Sequence, residues 1–253
     1  ISENSVGDWG MGGGIYCDYS ETDITLRGCL IANNTALGYD SSGGGIYCDY
    51  ESVLNVFNCT IVDNNATDGG GGIYFYSYKE SPLRIIGNSI IWGNSPDQIN
   101  NNTDYGYVAI LFSYIQGGWP FPSGIDIDPC FADPDSDNFR LLRNSPFIDA
   151  GNNSLVPIEL TEDLDGKERI VDGDCNGTEI VDLGVYEFSY VSLGDFAGGC
   201  DVNFDDFVVF ALTWFLDDQD AGYNADCDIS FPIDGVIDEN DLQVFVDNWL
   251  LNK

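Results

Sequence analysis

Gly43-Gly44-Gly45-Ile46-Tyr47-Cys48, read together with Cys29-Leu30-Ile31-Ala32-Asn33-Asn34-Thr35, decides the fold, because both stretches return along the chain. The first is repeated at Gly12 to Cys17 and at Gly70 to Phe75, where Phe75 replaces the cysteine. The second returns with Ile1, Ile61 and Ile91, and Asn4, Asn34, Asn64 and Asn94 keep the same interval of 30 residues. The glycine signatures are spaced by 31 and then 27, so changes of length fall between fixed strands, where loops belong.

Short β-branched and aromatic runs such as Ile24 to Leu26 and Val53 to Phe57 fill each repeat, with no helical period running through them. One repeat cannot bury its own apolar face. Stacking equivalent positions about 4.8 Å apart builds a continuous core and satisfies the strand hydrogen bonds. A parallel β-helix is therefore expected, right-handed because parallel crossovers nearly always are. The Asn row is expected at a corner, tolerating left-handed backbone angles and bonding through its amide to the next coil.

The chain has 253 residues, enough for a solenoid and one small domain, and a formal charge of −35 from 43 acidic and 8 basic residues. That charge makes nucleic acid and anionic membranes poor partners. No apolar run approaches a membrane span. Ile1 is not Met and no signal peptide precedes it, as expected of a processed or trimmed product. Eight cysteines with no CxxC and no His point to disulfides and export rather than to zinc. Cys17 with Cys48 and Cys29 with Cys59 are expected either as thiols stacked on neighbouring coils or as cross-core bridges, Cys17 to Cys29 and Cys48 to Cys59.

From Gly194 the pattern changes. Phe207, Phe210, Ala211 and Trp214 lie at helical spacing, and Leu242, Phe245, Val246 and Trp249 repeat them 35 residues later. Before the second helix stands Asp226-Cys-Asp228, an excursion through Pro232, then Asp234-Gly235-Val236-Ile237-Asp238-Glu-Asn-Asp241. Alternating oxygen ligands, a Gly for the turn, a backbone carbonyl and a carboxylate at the helix start suit Ca²⁺. The expected ligands are Asp226, Asp228, Asp234, the Val236 carbonyl, Asp238 through a water, and Asp241. Four extra residues lie between Asp228 and Asp234. The first loop offers Asp195, Asp201, Asn203 and Asp206 but has Ala197 and Gly199 at carboxylate positions and Cys200 in place of the Gly, which makes it the weaker site.

Residues 194–253 resemble a type I dockerin, a duplicated calcium loop and helix that docks onto cohesin domains. Residues 1–115 resemble the right-handed β-helix repeats of exported proteins from planctomycete-type bacteria. A closing segment, 116–190, shares the likeness through Gln116-Gly-Gly-Trp119, Asp128-Pro-Cys-Phe131, Asn144 to Gly151 and Asp182-Leu-Gly-Val-Tyr-Glu-Phe188. The resemblance implies fold and location more than activity. With it come two candidate bridges: Cys200 to Cys227, one cysteine in each loop, and Cys130 to Cys175 in the closing segment.

β-Helices include polysaccharide lyases and hydrolases, which need a strong base or paired carboxylates. There is no His, and Arg27, Lys79, Arg84, Arg140, Arg143, Lys167 and Arg169 stand in no catalytic motif. Asp18 and Asp49 recur after the strand cysteine beside Tyr19 and Tyr50, as solvated coil edges would, and Asp133-Pro-Asp135-Ser-Asp137 reads as a polar turn. Sequons at Asn33, Asn58, Asn65, Asn101, Asn152 and Asn176 permit glycosylation in a host equipped for it.

Ile1 enters in the register of the repeat with no cap before it. Either upstream coils were trimmed, or the open end rests on another subunit, head to tail, as in a fibre. The expectation is a non-catalytic extracellular structural or adhesive protein. Its calcium-dependent tail attaches it to a cohesin-like partner or to identical subunits. The alternative is a carbohydrate-binding or polysaccharide-degrading solenoid carried by a dockerin.

Overall fold

The computed structural model describes residues 1–18, 23–49, 52–77, 83–103, 107–119, 126–190, 193–197 and 200–249. The chain divides into two compact units, Ile1–Phe188 and Ser189–Lys253.

The first unit is a parallel β-helix of four coils. One sheet stacks Ile15–Cys17, Ile46–Cys48, Ile73–Ser77 and Ile99–Thr103 in strict register, with Ile15, Ile46, Ile73 and Ile99 in one column. A second stacks Asp23–Arg27, Val53–Phe57, Arg84–Gly87 and Val108–Leu111. A third stacks Leu30–Ala32, Thr60–Val62, Ile90–Trp92 and Tyr114–Ile115. Every pairing in these three sheets is parallel. The inward columns form one core that includes Ile31, Ile46, Leu54, Val56, Ile61, Ile73, Phe75, Ile86 and Ile91.

Asn4, Asn34, Asn64 and Asn94 form an amide ladder that is exposed at Asn4 and buried from Asn34 onward. Each Nδ2 donates to the Oδ1 of the next coil, at 2.9 Å in all three steps, and Asn94 passes the bond on to Gln98 at 2.8 Å. The left-handed residue expected here is one position earlier: Glu3, Asn33, Asp63 and Gly93 have φ of 58°, 56°, 53° and 68°. Two jobs are thus divided between neighbours, one making the corner and the next satisfying the donors it exposes.

Cys17 and Cys48 are register partners, and Cys29 and Cys59 precede the register pair Leu30 and Thr60. All four are free thiols, so the cross-core bridges do not form and the stacked arrangement holds. Arg84 is wholly buried, with its guanidinium 4.8 Å from the Phe75 ring centroid and its Nε donating to the Ser52 carbonyl. Asp49 is buried too, at 7% exposure, which corrects its reading as a solvated coil edge. Tyr19 and Tyr50 lie outside the described residues.

Residues 126–188 lie along the flank of the third sheet. Phe139, Val185 and Tyr186 cover Ala32 and Val62, while Phe147 and Leu183 cover Ile90. This second covering explains why Leu30-Ile31-Ala32 is apolar without alternation, as a strand buried on both faces must be. The Asn88 side chain exchanges two hydrogen bonds with the backbone of Asn152, and Thr60 Oγ accepts from the Val185 N–H. Asp137 in the acidic turn takes the αL conformation and accepts from Asn33 Nδ2. Arg169 is buried, paired with Glu187 at 3.1 Å, and its Nη1 donates to the Val185 carbonyl.

In the second unit, helices α1 (Phe204–Leu212) and α2 (Glu239–Asn248) pack through Phe210 and Phe245, whose rings stack at 5.3 Å. Among the described residues no helix is long and apolar enough to cross a membrane. One disulfide is present among the described residues. Cys130 and Cys227 carry free thiols, so neither bridge implied by the resemblance forms.

Candidate metal centre

Both helices begin with the same device. Asn203 and Asp238 are N-caps, and Asp206 and Asp241 at N3 reach back to complete capping boxes. The N3 carboxylates do more. Asp241 Oδ1 accepts from the N–H groups of Ile229 and Ser230, each at 2.8 Å, and Oδ2 from that of Asp238 at 2.9 Å. Asp206 Oδ1 accepts from Phe196 and Ala197, and Oδ2 from Asn203. Both carboxylates are fully buried. Each ties the start of its loop to the start of its helix, so the duplication extends to individual hydrogen bonds.

These bonds set the register of the two loops. Asp195 Oδ2 accepts from Cys200 N–H, and Asp228 Oδ2 accepts from Gly235 N–H, so Asp228 is the counterpart of Asp195. On this alignment the second loop is two residues longer than the first, the excess lying around Phe231-Pro232-Ile233. Phe231 and Ile233 are exposed. The sequence count assigned the first place to Asp226 and found four extra residues; the hydrogen bonds place Asp228 first.

Asp226 stands on the short 3₁₀ turn Ala225–Cys227 and is exposed, outside the ring that Asp228 and Gly235 close. Asp234 Oδ1 accepts from Val236 N–H, and Asp238 accepts from both the backbone and the side chain of Asn240. Val236 bridges Asp217 in a short antiparallel contact that joins the end of α1 to the approach to α2. In the first loop the Asp201 carbonyl accepts from Asn203 Nδ2, and Asp201 itself is exposed.

Asp228 is the residue whose environment asks for a ligand. It is 3% exposed, and Oδ2 accepts from Gly235 and from the Tyr223 hydroxyl at 2.9 Å. Its Oδ1 is buried and has no hydrogen-bond partner. Burial and the bond to Asp228 push the Tyr223 phenol up to about 12, so it remains a donor. A buried carboxylate oxygen left without a donor is costly, and a cation is one way to satisfy it. The other oxygens of this loop, those of Asp234, Asp238 and the Val236 carbonyl, are of the kind a hard cation such as Ca²⁺ takes, although the carboxylates of Asp228, Asp234 and Asp238 do not all lie within 4.8 Å of one another.

Sequence reading missed Tyr223 and a separate acidic group in the first unit. Oxygens of Asp149, Asp172 and Asp174 all lie within 4.8 Å of one another, the one such acidic group among the described residues. Asp149 accepts from the N–H groups of Gly173 and Asp174, and Asp172 from those of Asn176 and Gly177. Burial pushes the Asp149 carboxyl up. Its sequence signal, Asp172-Gly-Asp174, is short, and its third member comes from a segment more than twenty residues away.

The family described as "Right handed beta helix region" matches residues 1–103. The parallel, in-register sheets of that stretch agree with this likeness. The match stops short of the flanking segment and of the C-terminal unit. No curated protein and no solved structure matches the chain.

Proposed function

We propose that the chain is an extracellular, non-catalytic scaffold whose C-terminal unit is a calcium-stabilised, dockerin-like attachment module. Asp228 carries the reading, because its buried, partnerless Oδ1 lies in a loop whose other available oxygens are those Ca²⁺ selects. Asp228, Asp234, the Val236 carbonyl and Asp238 would hold the ion, with Asp241 clamping the loop to α2 rather than ligating. Bound Ca²⁺ would supply the positive charge that this acidic loop lacks. The attachment partner would be a cohesin-like protein or further copies of the chain.

A scaffold role is supported by how the basic residues are used. Arg84 lies in the solenoid core, Arg140 pairs with Asp165 over the Tyr186 ring, and Arg169 is buried against Glu187. Each is committed to packing or to a neighbouring carboxyl group, so none of these three is available as a lyase base. Scanning calorimetry of the full chain tests the proposal. Calcium should raise one unfolding transition relative to chelator, and the same transition should be lowered by Asp241→Ala; a scan identical in calcium and chelator would remove the reading.

A second reading, carbohydrate binding, is favoured by one groove. Trp92, Phe131, Pro134 and Leu142 form its apolar wall, and Asp63, Asp128, Asp135 and Asn144 supply polar groups, around a volume of about 510 Å³. Burial, with Asp137 and Asp135 nearby, pushes the Asp63 carboxyl up. Oligosaccharide titrations followed by tryptophan fluorescence in the parent and in Trp92→Phe would decide it. Identical traces for the two proteins would exclude this groove.

A further inference from the structure

Cys29 and Cys59 belong to a column of four equivalent residues, Cys29, Cys59, Ser89 and Ser113, one per coil. Every member donates to the carbonyl two residues back: Cys29 to Arg27 at 3.3 Å, Cys59 to Phe57 at 3.2 Å, Ser89 to Gly87 at 2.8 Å and Ser113 to Leu111 at 3.0 Å. Cys59, Ser89 and Ser113 also accept from the backbone N–H of the equivalent residue one coil earlier. Cys29 N–H reaches Cys59 Sγ at 3.4 Å, Cys59 N–H reaches Ser89 Oγ at 3.1 Å, and Ser89 N–H reaches Ser113 Oγ at 3.0 Å. A hydroxyl therefore serves this column as well as a thiol does. Structure alone does not require sulfur at both Cys29 and Cys59.

The two thiols differ in environment. Cys59 is wholly buried, whereas Cys29 is partly exposed, at the edge of the same core. The Cys59 thiol beside it holds the Cys29 thiol down, to about 6, while burial pushes Cys59 up. One member is thus a partly exposed thiol that ionises readily, and the other a buried thiol whose sulfur meets its backbone N–H, which is the disposition of a reactive cysteine and its resolving partner.

We propose that Cys29 and Cys59 are a peroxide-reactive pair that passes reversibly between two thiols and a disulfide tying the first coil to the second. The Cys29 thiolate attacks a peroxide oxygen. The O–O bond breaks, hydroxide leaves, and Cys29 becomes a sulfenic acid. Cys59 sulfur then attacks Cys29 sulfur, the S–O bond breaks, and the departing hydroxide leaves with the Cys59 proton as water. Two thiols and one peroxide give one disulfide and two waters. In-register parallel strands are about 4.8 Å apart, within the Cα range of a disulfide but wider than its usual Cβ separation of about 3.8 Å. The bond would therefore be strained and easily reduced, a switch rather than a permanent staple. Cys17 and Cys48 join the same two coils but are both buried, at 2% and 0% exposure, and should react later.

The full chain is treated with hydrogen peroxide under native conditions, then denatured, alkylated and mapped by peptide mass. The expected product is a linked Cys29–Cys59 peptide, formed before any Cys17–Cys48 link and removed by mild dithiothreitol. Cys59→Ser keeps the column's hydrogen bonds, as Ser89 does, and should leave a dimedone-reactive sulfenic acid on Cys29 without a link. Cys130, partly exposed and with no thiol in register, is the internal comparison. The proposal is overturned if Cys29 and Cys59 remain fully alkylable, if Cys29 in the parent proceeds to sulfinic acid while Cys59 stays free, or if Cys59→Ser and the parent give the same products.

Discussion

Asp228 Oδ2 accepts the backbone N–H of Gly235 at 2.8 Å, and this bond fixes which acidic residue opens the second loop. It excludes Asp226 from the ring and gives the loop two more residues than its duplicate, with Phe231 and Ile233 exposed in the excess. The same bond holds Asp228 where its second oxygen is buried without a donor.

Asp241→Ala should destabilise the C-terminal unit by about 3 kcal/mol in chelator, because three backbone N–H groups lose their acceptor and one capping box is lost. Asp206→Ala should do the same through the equivalent bonds. Thermal unfolding without calcium separates this from an ion effect. Either variant retaining parental stability in chelator would show that the clamps are not structural.

Asn64→Asp is nearly isosteric yet should cost about 3 kcal/mol, because it replaces the amide donor with an acceptor. Asn64 Nδ2 donates to Asn94 Oδ1 and to the Ile31 and Val62 carbonyls inside the solenoid, and none of these can donate to a carboxylate. Denaturant unfolding of the parent and variant measures it. A loss below about 1 kcal/mol would mean that the ladder relaxes around the change.

The β-helix was legible in the sequence because its repeat is a repeat of backbone hydrogen bonding, which leaves Ile, Asn and Gly at fixed intervals. The corner was misplaced by one residue because Glu3, Asn33, Asp63 and Gly93 share a backbone angle but no side-chain type. The acidic loop before α2 was legible in composition and not in register. Pro232 and its neighbours shift the count, and only the bonds from Gly235 and Cys200 show where each loop starts. Arg169 and Glu187 gave no signal as a pair, since they lie in separate segments of the sequence and only the fold brings them together, with Arg169 donating to the Val185 carbonyl.

Stability of the first unit should fall as pH rises above neutrality. Burial raises the Asp182 carboxyl from 3.8 to about 7 and Glu187 from 4.5 to about 9, with Arg169 opposing both. A folded-state pKa above the unfolded one means the folded chain holds more protons, so the contribution is full below the unfolded pKa and is lost as pH rises through the folded one. Ordinary carboxylates finish titrating by about pH 6, so a fall in melting temperature between there and pH 9 belongs to this pair. Glu187→Gln should flatten it. A melting temperature unchanged over that range in the parent would contradict the assignment.

Calorimetric titration of Ca²⁺ into the full chain, repeated with Asp226→Asn and Asp228→Asn, tests the central claim most directly. The parent should bind, Asp226→Asn should bind like the parent, and Asp228→Asn should lose about tenfold or more in affinity at that site. A parent that shows no calcium heat, or an Asp228→Asn protein that binds as the parent does, would contradict the account.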